Sequence, residues 1–350
     1  MTQSQRADLS RWISVVCILT TFLISRNLWL ANHALPMIPA IPMLKVLPDA
    51  IANVLFFIMF GMILLFGFYP KPAGFMTILA IILLLVQTDI NRLQPATFIY
   101  VLTLFCHCFP KRRVILLIFV FSGVYFWSGI HKWNPYFLET WLRGMNKRIG
   151  FTPLVLRQAF TYAVPFIEAA AGLMLLNLRF RKIGVILLVV MHFLILTTLF
   201  AENFGMGVLP WNLLMISTLL LVIFPSDAHV VALFDKKAAA ITAIVWLLPV
   251  ANLFGYYDHF LSFSIMSGKP EYAYYYFPDG LAAAKVPEPA RPYIRQYQGK
   301  YYIQLTEWAG YAKGIMVYPE ERVYNSIKDS LTCRMSEKEK NQTQLQLYKP

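Results

Sequence analysis

The stretch Ile183-Gly-Val-Ile-Leu-Leu-Val-Val-Met-His-Phe-Leu-Ile-Leu-Thr-Thr-Leu-Phe200 contains no Asp, Glu, Lys or Arg. A helix that crosses a bilayer needs about 20 predominantly apolar residues, and this run comes close to that length. Val114–Ser122 and Leu213–Phe224 read the same way. Hydrocarbon offers no water to backbone N–H and C=O groups, so such runs close their own hydrogen bonds as helices. The whole composition agrees. Hydrophobic residues make up 58% of the 350 and aromatics 15%, against about 45–50% apolar in soluble domains.

Working outward from that run, apolar segments predict spans near residues 12–30, 50–69, 73–89, 96–110, 114–131, 160–178, 183–201, 207–225 and 238–256. The expected fold class is an all-α polytopic membrane protein with about nine transmembrane helices, followed by a small extracytoplasmic α+β domain. The domain division falls between residues 1–257 and 258–350. In the second part, Tyr272–Phe277 and Tyr301–Leu305 have the aromatic and β-branched content of strands, Glu321–Cys333 suits a helix, and the charged, glutamine-rich end from Ser336 is expected to fray.

The net charge of +13 is a topology signal. Residues 1–257 hold 19 Lys/Arg against 8 Asp/Glu, whereas residues 258–350 hold 12 against 10. The basic residues cluster between apolar runs, at Lys111-Arg112-Arg113, at Arg179, Arg181 and Lys182, and at Lys236-Lys237. Cytoplasmic loops look like this and a nucleic-acid patch does not. With the N-terminus inside, the inner side collects eleven Lys/Arg and the outer connections seven. This predicts an inner (cytoplasmic) membrane protein with a cytoplasmic N-terminus, and an odd number of spans puts residues 258–350 outside. The polar start before Trp12 is followed by no small-residue cleavage site, so the first helix is expected to stay as an anchor.

Five of the seven outer charges lie in residues 132–157. Two accounts stand: a solvated or headgroup-bound loop, or a partly re-entrant segment that presents cations to a polar cavity. The four cysteines imply no disulfide framework. Cys106-His107-Cys108 has neither the spacing nor the second pair of a zinc motif, so no metal is expected.

Ionisable groups inside spanning helices cost about 2.5–3.5 kcal/mol at the centre, which makes each a site candidate. Here they are Arg26, Glu168 and His192, with His131 and Lys132 closing the fifth helix. Glu168 reads either as a buried partner, for Arg26 or His192, or as a proton acceptor. His192 reads as a satisfied packing residue or as a ligand or catalytic group. Lys132 would snorkel to the headgroups, or act as a base if held in a dry cavity.

The run Tyr125-Phe-Trp-Ser-Gly-Ile-His-Lys-Trp133, the following Phe137 and Trp141, a helix carrying His192, and Phe204-Gly-Met-Gly-Val-Leu-Pro-Trp-Asn212 together resemble the HTTM domain. That is the membrane domain shared by vitamin K-dependent gamma-carboxylase and many bacterial proteins. The resemblance covers roughly residues 10–260. Asp89-Ile-Asn-Arg-Leu-Gln-Pro95 and Phe254–Ser262 are similar to the bacterial type. It implies a quinol-dependent reaction, with menaquinone or another quinol as cofactor. Lys132 matches the lysine thought to act as base, with His192 and Glu168 supporting it. His131, Gln94, Trp211 and Asn212 would face the cofactor, and Arg92 or Arg143 would hold an anion. The family's Asn-His pair falls against Asn91–Gln94, and Gln94 cannot serve as a base, which argues against standard glutamate carboxylation. The alternative is a non-catalytic anchor or assembly subunit that docks a protein partner through its external domain. The bilayer and a membrane quinone are the other partners expected, and nucleic acid is not.

Overall fold

The computed structural model describes residues 1–349 apart from 32, 202–206, 231–235, 265 and 270, and leaves the side chains of 148, 198–201 and 236–238 undescribed. Residues 204–206 of the stretch that ends at Asn212, and the side chains of Lys236 and Lys237, thus lie outside the description.

The apolar segments form helices: α1 (Gln3–Ile24), the single turn α2 (Arg26–Trp29), α3 (Asp49–Phe68), α4 (Pro72–Thr88), α5 (Pro95–His107), α6 (Arg113–His131), α7 (Pro135–Ile149), α8 (Leu154–Met174), α9 (Arg181–Ala201), α10 (Val208–Thr218), α11 (Lys236–Thr242) and α12 (Leu248–Leu253). Widened π turns at Leu219–Ile223 and Ala243–Leu247 extend α10 and join α11 to α12.

Among the described residues three helices are long and apolar enough to cross a membrane, namely α1, α3 and α6. The expectation of about nine spanning helices is therefore corrected to three. α9, with 21 residues, ends in side chains 198–201 that are not described and is not counted; for the others the reason is length and interruption. At 1.5 Å per residue, α4 with 17 residues reaches about 25 Å and α5 with 13 about 20 Å, short of the ~30 Å hydrocarbon core. α8 carries Arg157, Glu168 and an internal Pro165, and the two late apolar helices change pitch at their π turns. Hydropathy sees the apolar run and not the break within it. The odd count that put residues 258–350 outside loses its basis with the nine spans. On α3, Ile51, Val54, Phe57, Leu64, Leu65 and Phe68 all stand exposed, which suits a lipid-facing surface.

The chain forms two compact units. The first comprises Met1–Thr21, Ile63–Met76 and Pro95–Lys269. Its centre is the pair α6 and α8. Glycine lets them approach: a Cβ on Gly129 would lie 2.5 Å from the Ala169 nitrogen, and one on Gly172 would lie 2.7 Å from that of Phe126. Ser122 uses the closeness to donate to the Gly172 carbonyl at 2.6 Å. Gly129→Val should force the helices apart, at the cost of about 1–3 kcal/mol typical of overpacking. A melting temperature equal to wild type in the same detergent would show that the contact is loose. Elsewhere Arg113 donates to Asp8 (2.6 Å) and to the Ser4 carbonyl (2.9 Å), fixing α1 on α6. Arg181, fully buried, donates to the carbonyls of Leu175, Ser226 and Ala228.

The second unit comprises Phe22–Met62, Thr77–Gln94 and residues 270–350. Four antiparallel strands, β1 (Tyr272–Phe277), β2 (Ile294–Tyr297), β3 (Lys300–Gln304) and β4 (Gln344–Tyr348), lie in the order β2-β3-β1-β4. β2 and β3 are joined by Gln298-Gly299, both at positive φ (48° and 77°), as a two-residue turn that matches strand twist requires. The helices α13 (Gly280–Ala284), α14 (Leu305–Lys313), α15 (Glu321–Thr332) and α16 (Glu337–Gln342) complete it. Ala273, Tyr275, Phe277 and Ile303 are buried on one face of the sheet.

The expected frayed end is corrected: Ser336 and Glu339 form a reciprocal capping box that starts α16, and β4 then pairs with β1. Lys285 donates to both Glu339 oxygens (2.6 and 2.8 Å), and together with the Ser336 donors it holds that carboxyl down at about 2. A depressed carboxyl stabilises the fold above its unfolded value near 4.5, and that contribution is lost as pH falls through about 2. Acid titration followed by circular dichroism should show part of the unit's loss of stability in that window. Glu339→Gln should remove that part of the slope, and an unchanged slope would refute the assignment.

Candidate functional site

The helix α6 presents Tyr125, Ser128 and Lys132 at intervals of three and four, which sets them on one face. That face meets α8, and Lys132 Nζ donates to the Glu168 carboxylate and to Ser128 Oγ (3.1 Å). The Glu168 side chain is 3% exposed and that of Lys132 15%. Lys132 is therefore not a snorkelling lysine, and the partner of Glu168 is neither Arg26 nor His192.

Beside this pair runs a second polar chain. Asn212 Nδ2 donates to the Val208 carbonyl at 2.8 Å, which leaves Asn212 Oδ1 as an acceptor. His192 Nδ1 lies 2.7 Å from that oxygen and so carries the proton, and its bare Nε2 accepts from the Tyr125 hydroxyl at 2.7 Å. His192 is thus a fully satisfied, oriented imidazole. The Glu168 charge bears on both Tyr125 and His192, so the two chains belong to one electrostatic cluster drawn from α6, α8, α9 and α10.

A further group gathers at the end of α6. The His131 ring lies 5.8 Å from that of Trp127, and both are buried, with His131 Nε2 and Trp127 Nε1 lacking a hydrogen-bond partner among the described residues. Lys269 and His259 act electrostatically on His131. Asn252 joins them: its Nδ2 donates to the Tyr257 carbonyl (2.7 Å) and lies 3.0 Å from His259 Nδ1, and its own carbonyl accepts from Lys269. Burial lowers the basicity of both His259 and Lys269. Asn134 donates to the His131 and Met266 carbonyls (2.7 and 2.9 Å) while capping α7. Phe263, in the same loop, takes a positive φ of 60° and stacks on Phe98, a backbone state that a bulky residue keeps only when packing enforces it.

The other expected site residues are spread out. Trp211 precedes Asn212 on α10, and its buried Nε1 has no partner among the described residues. Arg143 is exposed on α7. Arg92 and Gln94 belong to the second unit. There Arg92 donates to the carbonyls of Leu28 and Leu85 (3.0 and 2.8 Å), and Gln94 donates to those of Asn91 and Met316 (2.6 and 2.9 Å). Asn91 accepts from the Tyr318 nitrogen, and Asp89 pairs with Lys313. The segment Asp89–Gln94 is thus bonded to the segment that follows α14. Sequence reasoning missed Tyr125, Ser128, Asn252 and Lys269 as members of these clusters. The first two stand in the very run that drew attention to Lys132, and their spacing was the signal.

No family model, no curated protein and no solved structure matches the chain. The case for any activity accordingly rests on the side chains themselves.

Proposed function

We propose that the protein is a membrane enzyme of the vitamin K-dependent carboxylase-like (HTTM) kind, in which the Lys132–Glu168 pair handles a proton for a quinol-linked reaction other than standard glutamate carboxylation. The observation that carries this reading is the contact of Lys132 Nζ with the nearly inaccessible Glu168 carboxylate, on the run where the resemblance is most specific. A lysine and a glutamate sharing a proton in a low-dielectric site can rest as an ion pair or as a neutral amine and acid, because desolvation penalises the charged form. Lys132 Nζ would take the proton from the quinol, and the Glu168 carboxylate would hold the ammonium that forms. Ser128 steadies the amine through its hydroxyl. Tyr125, His192 and Asn212 fix one another, so the wall beside the pair stays ordered.

A bound quinol would supply two electrons, taken up by molecular oxygen as the co-substrate, and two protons. The donor chemistry fits such a group: Trp127 Nε1, His131 Nε2 and Trp211 Nε1 are buried nitrogens with no hydrogen-bond partner among the described residues, and a quinone oxygen is an acceptor. Gln94 has no titratable group, so the base role falls to Lys132. The basic loop at 111–113 favours a cytoplasmic side for that turn and a cytoplasmic-membrane location.

Mass spectrometry of lipids extracted from the protein purified in nanodiscs, with quinol oxidation followed by absorbance, tests the proposal. Co-purified quinone together with loss of turnover in Lys132→Ala supports it. An extract without quinone and a variant as active as wild type would end it. One observation favours the second reading, a non-catalytic anchor subunit: Lys132, Glu168, His192 and Asn212 satisfy one another and leave no idle charge. A partner protein that stays bound stoichiometrically in mild detergent, without quinol oxidation, would establish that reading instead.

A further inference from the structure

The sheet of the second unit has two unlike faces. Residues directly opposite across paired strands share a face. The register therefore gathers Tyr272, Tyr274 and Tyr276 of β1 with Tyr302 of β3 and Tyr348 of β4 on the side away from buried Ala273, Tyr275 and Phe277. The rings form one continuous platform. Tyr274 and Tyr276 are stacked at 6.3 Å, Tyr302 lies 5.9 and 5.7 Å from them, and Tyr348 meets Tyr274 edge-on at 5.2 Å. Between and beside the rings the same register sets Gln304, Gln344 and Gln346. All of these side chains are half-buried or exposed.

The charge on this face is sparse. Its paired positions bear no carboxylate, and its cations, Lys300 and Arg295, sit at the β2–β3 end, where Arg295 is already held by Glu307 at 2.6 Å. A single-stranded nucleic acid needs a groove of cations along its backbone, and a lipid surface needs aliphatic and Trp side chains set among basic ones. Neither is here. A nearly neutral surface of closely set aromatic rings, edged by hydroxyls and carboxamides, instead matches a pyranose ring. Such a ring turns a C–H face to an aromatic plane, and its rim of hydroxyls both donates and accepts, as glutamine amides and tyrosine hydroxyls do.

We propose that this face binds a glycan, with successive sugar rings lying on Tyr274, Tyr276 and Tyr302 and their hydroxyls meeting Gln304 and Gln346. The inference rests on the sheet alone and is independent of the chemistry at Lys132. The full-length protein in nanodiscs, prepared without glycoside detergents that would compete, is titrated calorimetrically with the uncharged hexasaccharides cellohexaose, chitohexaose and mannohexaose. At least one should bind with Kd between micromolar and millimolar. The pair Tyr274→Ala with Tyr302→Ala should weaken that binding at least about tenfold, while Tyr274→Phe with Tyr302→Phe, which keeps the planes, should stay within about threefold. Should the alanine pair fail to fold by circular dichroism, Tyr348→Ala and Gln346→Ala on the edge strand are read in its place, each with a loss of binding expected. Absence of binding by all three hexasaccharides at 10 mM (about the weakest affinity worth the name) overturns the proposal, as does binding that no variant weakens. A protein captured on the face by wild type but not by the alanine pair, with no saccharide bound, overturns it in favour of a protein partner.

Discussion

Lys313→Met should destabilise the second unit by about 3–5 kcal/mol, the usual result of removing one partner from a buried ion pair. Lys313 Nζ lies 3.1 Å from Asp89 Oδ2, and both side chains are entirely inaccessible to solvent. The Asp89 carboxylate also accepts from the Asn91 main-chain nitrogen (3.1 Å) and from Asn91 Nδ2 (2.9 Å). Those two bonds cannot replace the lost cation. The damage should spread, because Asn91 receives the Tyr318 nitrogen and Gln94 reaches the Met316 carbonyl. Asp89→Leu should cost a similar amount, by stranding the lysine. The double variant should be far closer to wild type than the sum of the singles, since two apolar side chains of similar size can replace a buried pair at little cost. Chemical denaturation followed by near-ultraviolet circular dichroism measures all four members of the cycle. Single variants within 1 kcal/mol of wild type, a margin close to that of an exposed pair, would show that the pair is wet and weak.

The second large effect lies at Lys132. Lys132→Met leaves the nearly inaccessible Glu168 carboxylate without its cation and should cost about 3 kcal/mol or more. Adding Glu168→Gln removes the stranded charge and should restore most of the lost thermal stability. Activity should not return with it. If the pair handles a proton in the reaction, quinol oxidation should stay about 10²–10⁴-fold down in the double variant, the range for a missing general acid or base. Stability and turnover regained together would reduce the pair to a structural contact and favour the anchor reading.

Local structure was written in the chain more plainly than its partnerships. The run Tyr272–Phe277 declared a strand by its aromatic content, Glu321–Thr332 declared a helix, and each apolar segment is helical close to where hydropathy put it. Span count was not legible, because hydropathy averages over breaks: Pro95 starts α5 so late that 13 residues remain, and the π turns divide the last apolar stretches. The capping box Ser336–Glu339 was readable from its Ser-x-x-Glu spacing, yet the surrounding charge masked it. Pairings across long separations were beyond periodicity, which yields faces and not neighbours. Glu168 meets a lysine 36 positions earlier, and Asp89 one 224 positions later. Asn252, His259 and Lys269 converge only because a loop without regular structure folds back on α12.

The discontinuity of the second unit has a consequence for biosynthesis. Its first segments leave the ribosome long before residues 270–350 exist. Translation at about 5–20 residues per second puts roughly 10–45 s between the emergence of Asp89 and that of Lys313. For that interval a carboxylate destined for complete burial lacks its lysine partner, and Asn91 and Gln94 lack the main-chain groups of Tyr318 and Met316. Chains released early would carry that unfinished loop permanently, which makes them substrates for quality-control proteases. A chaperone that shelters the nascent segment 77–94 would be worth more to this protein than one that acts on the finished chain.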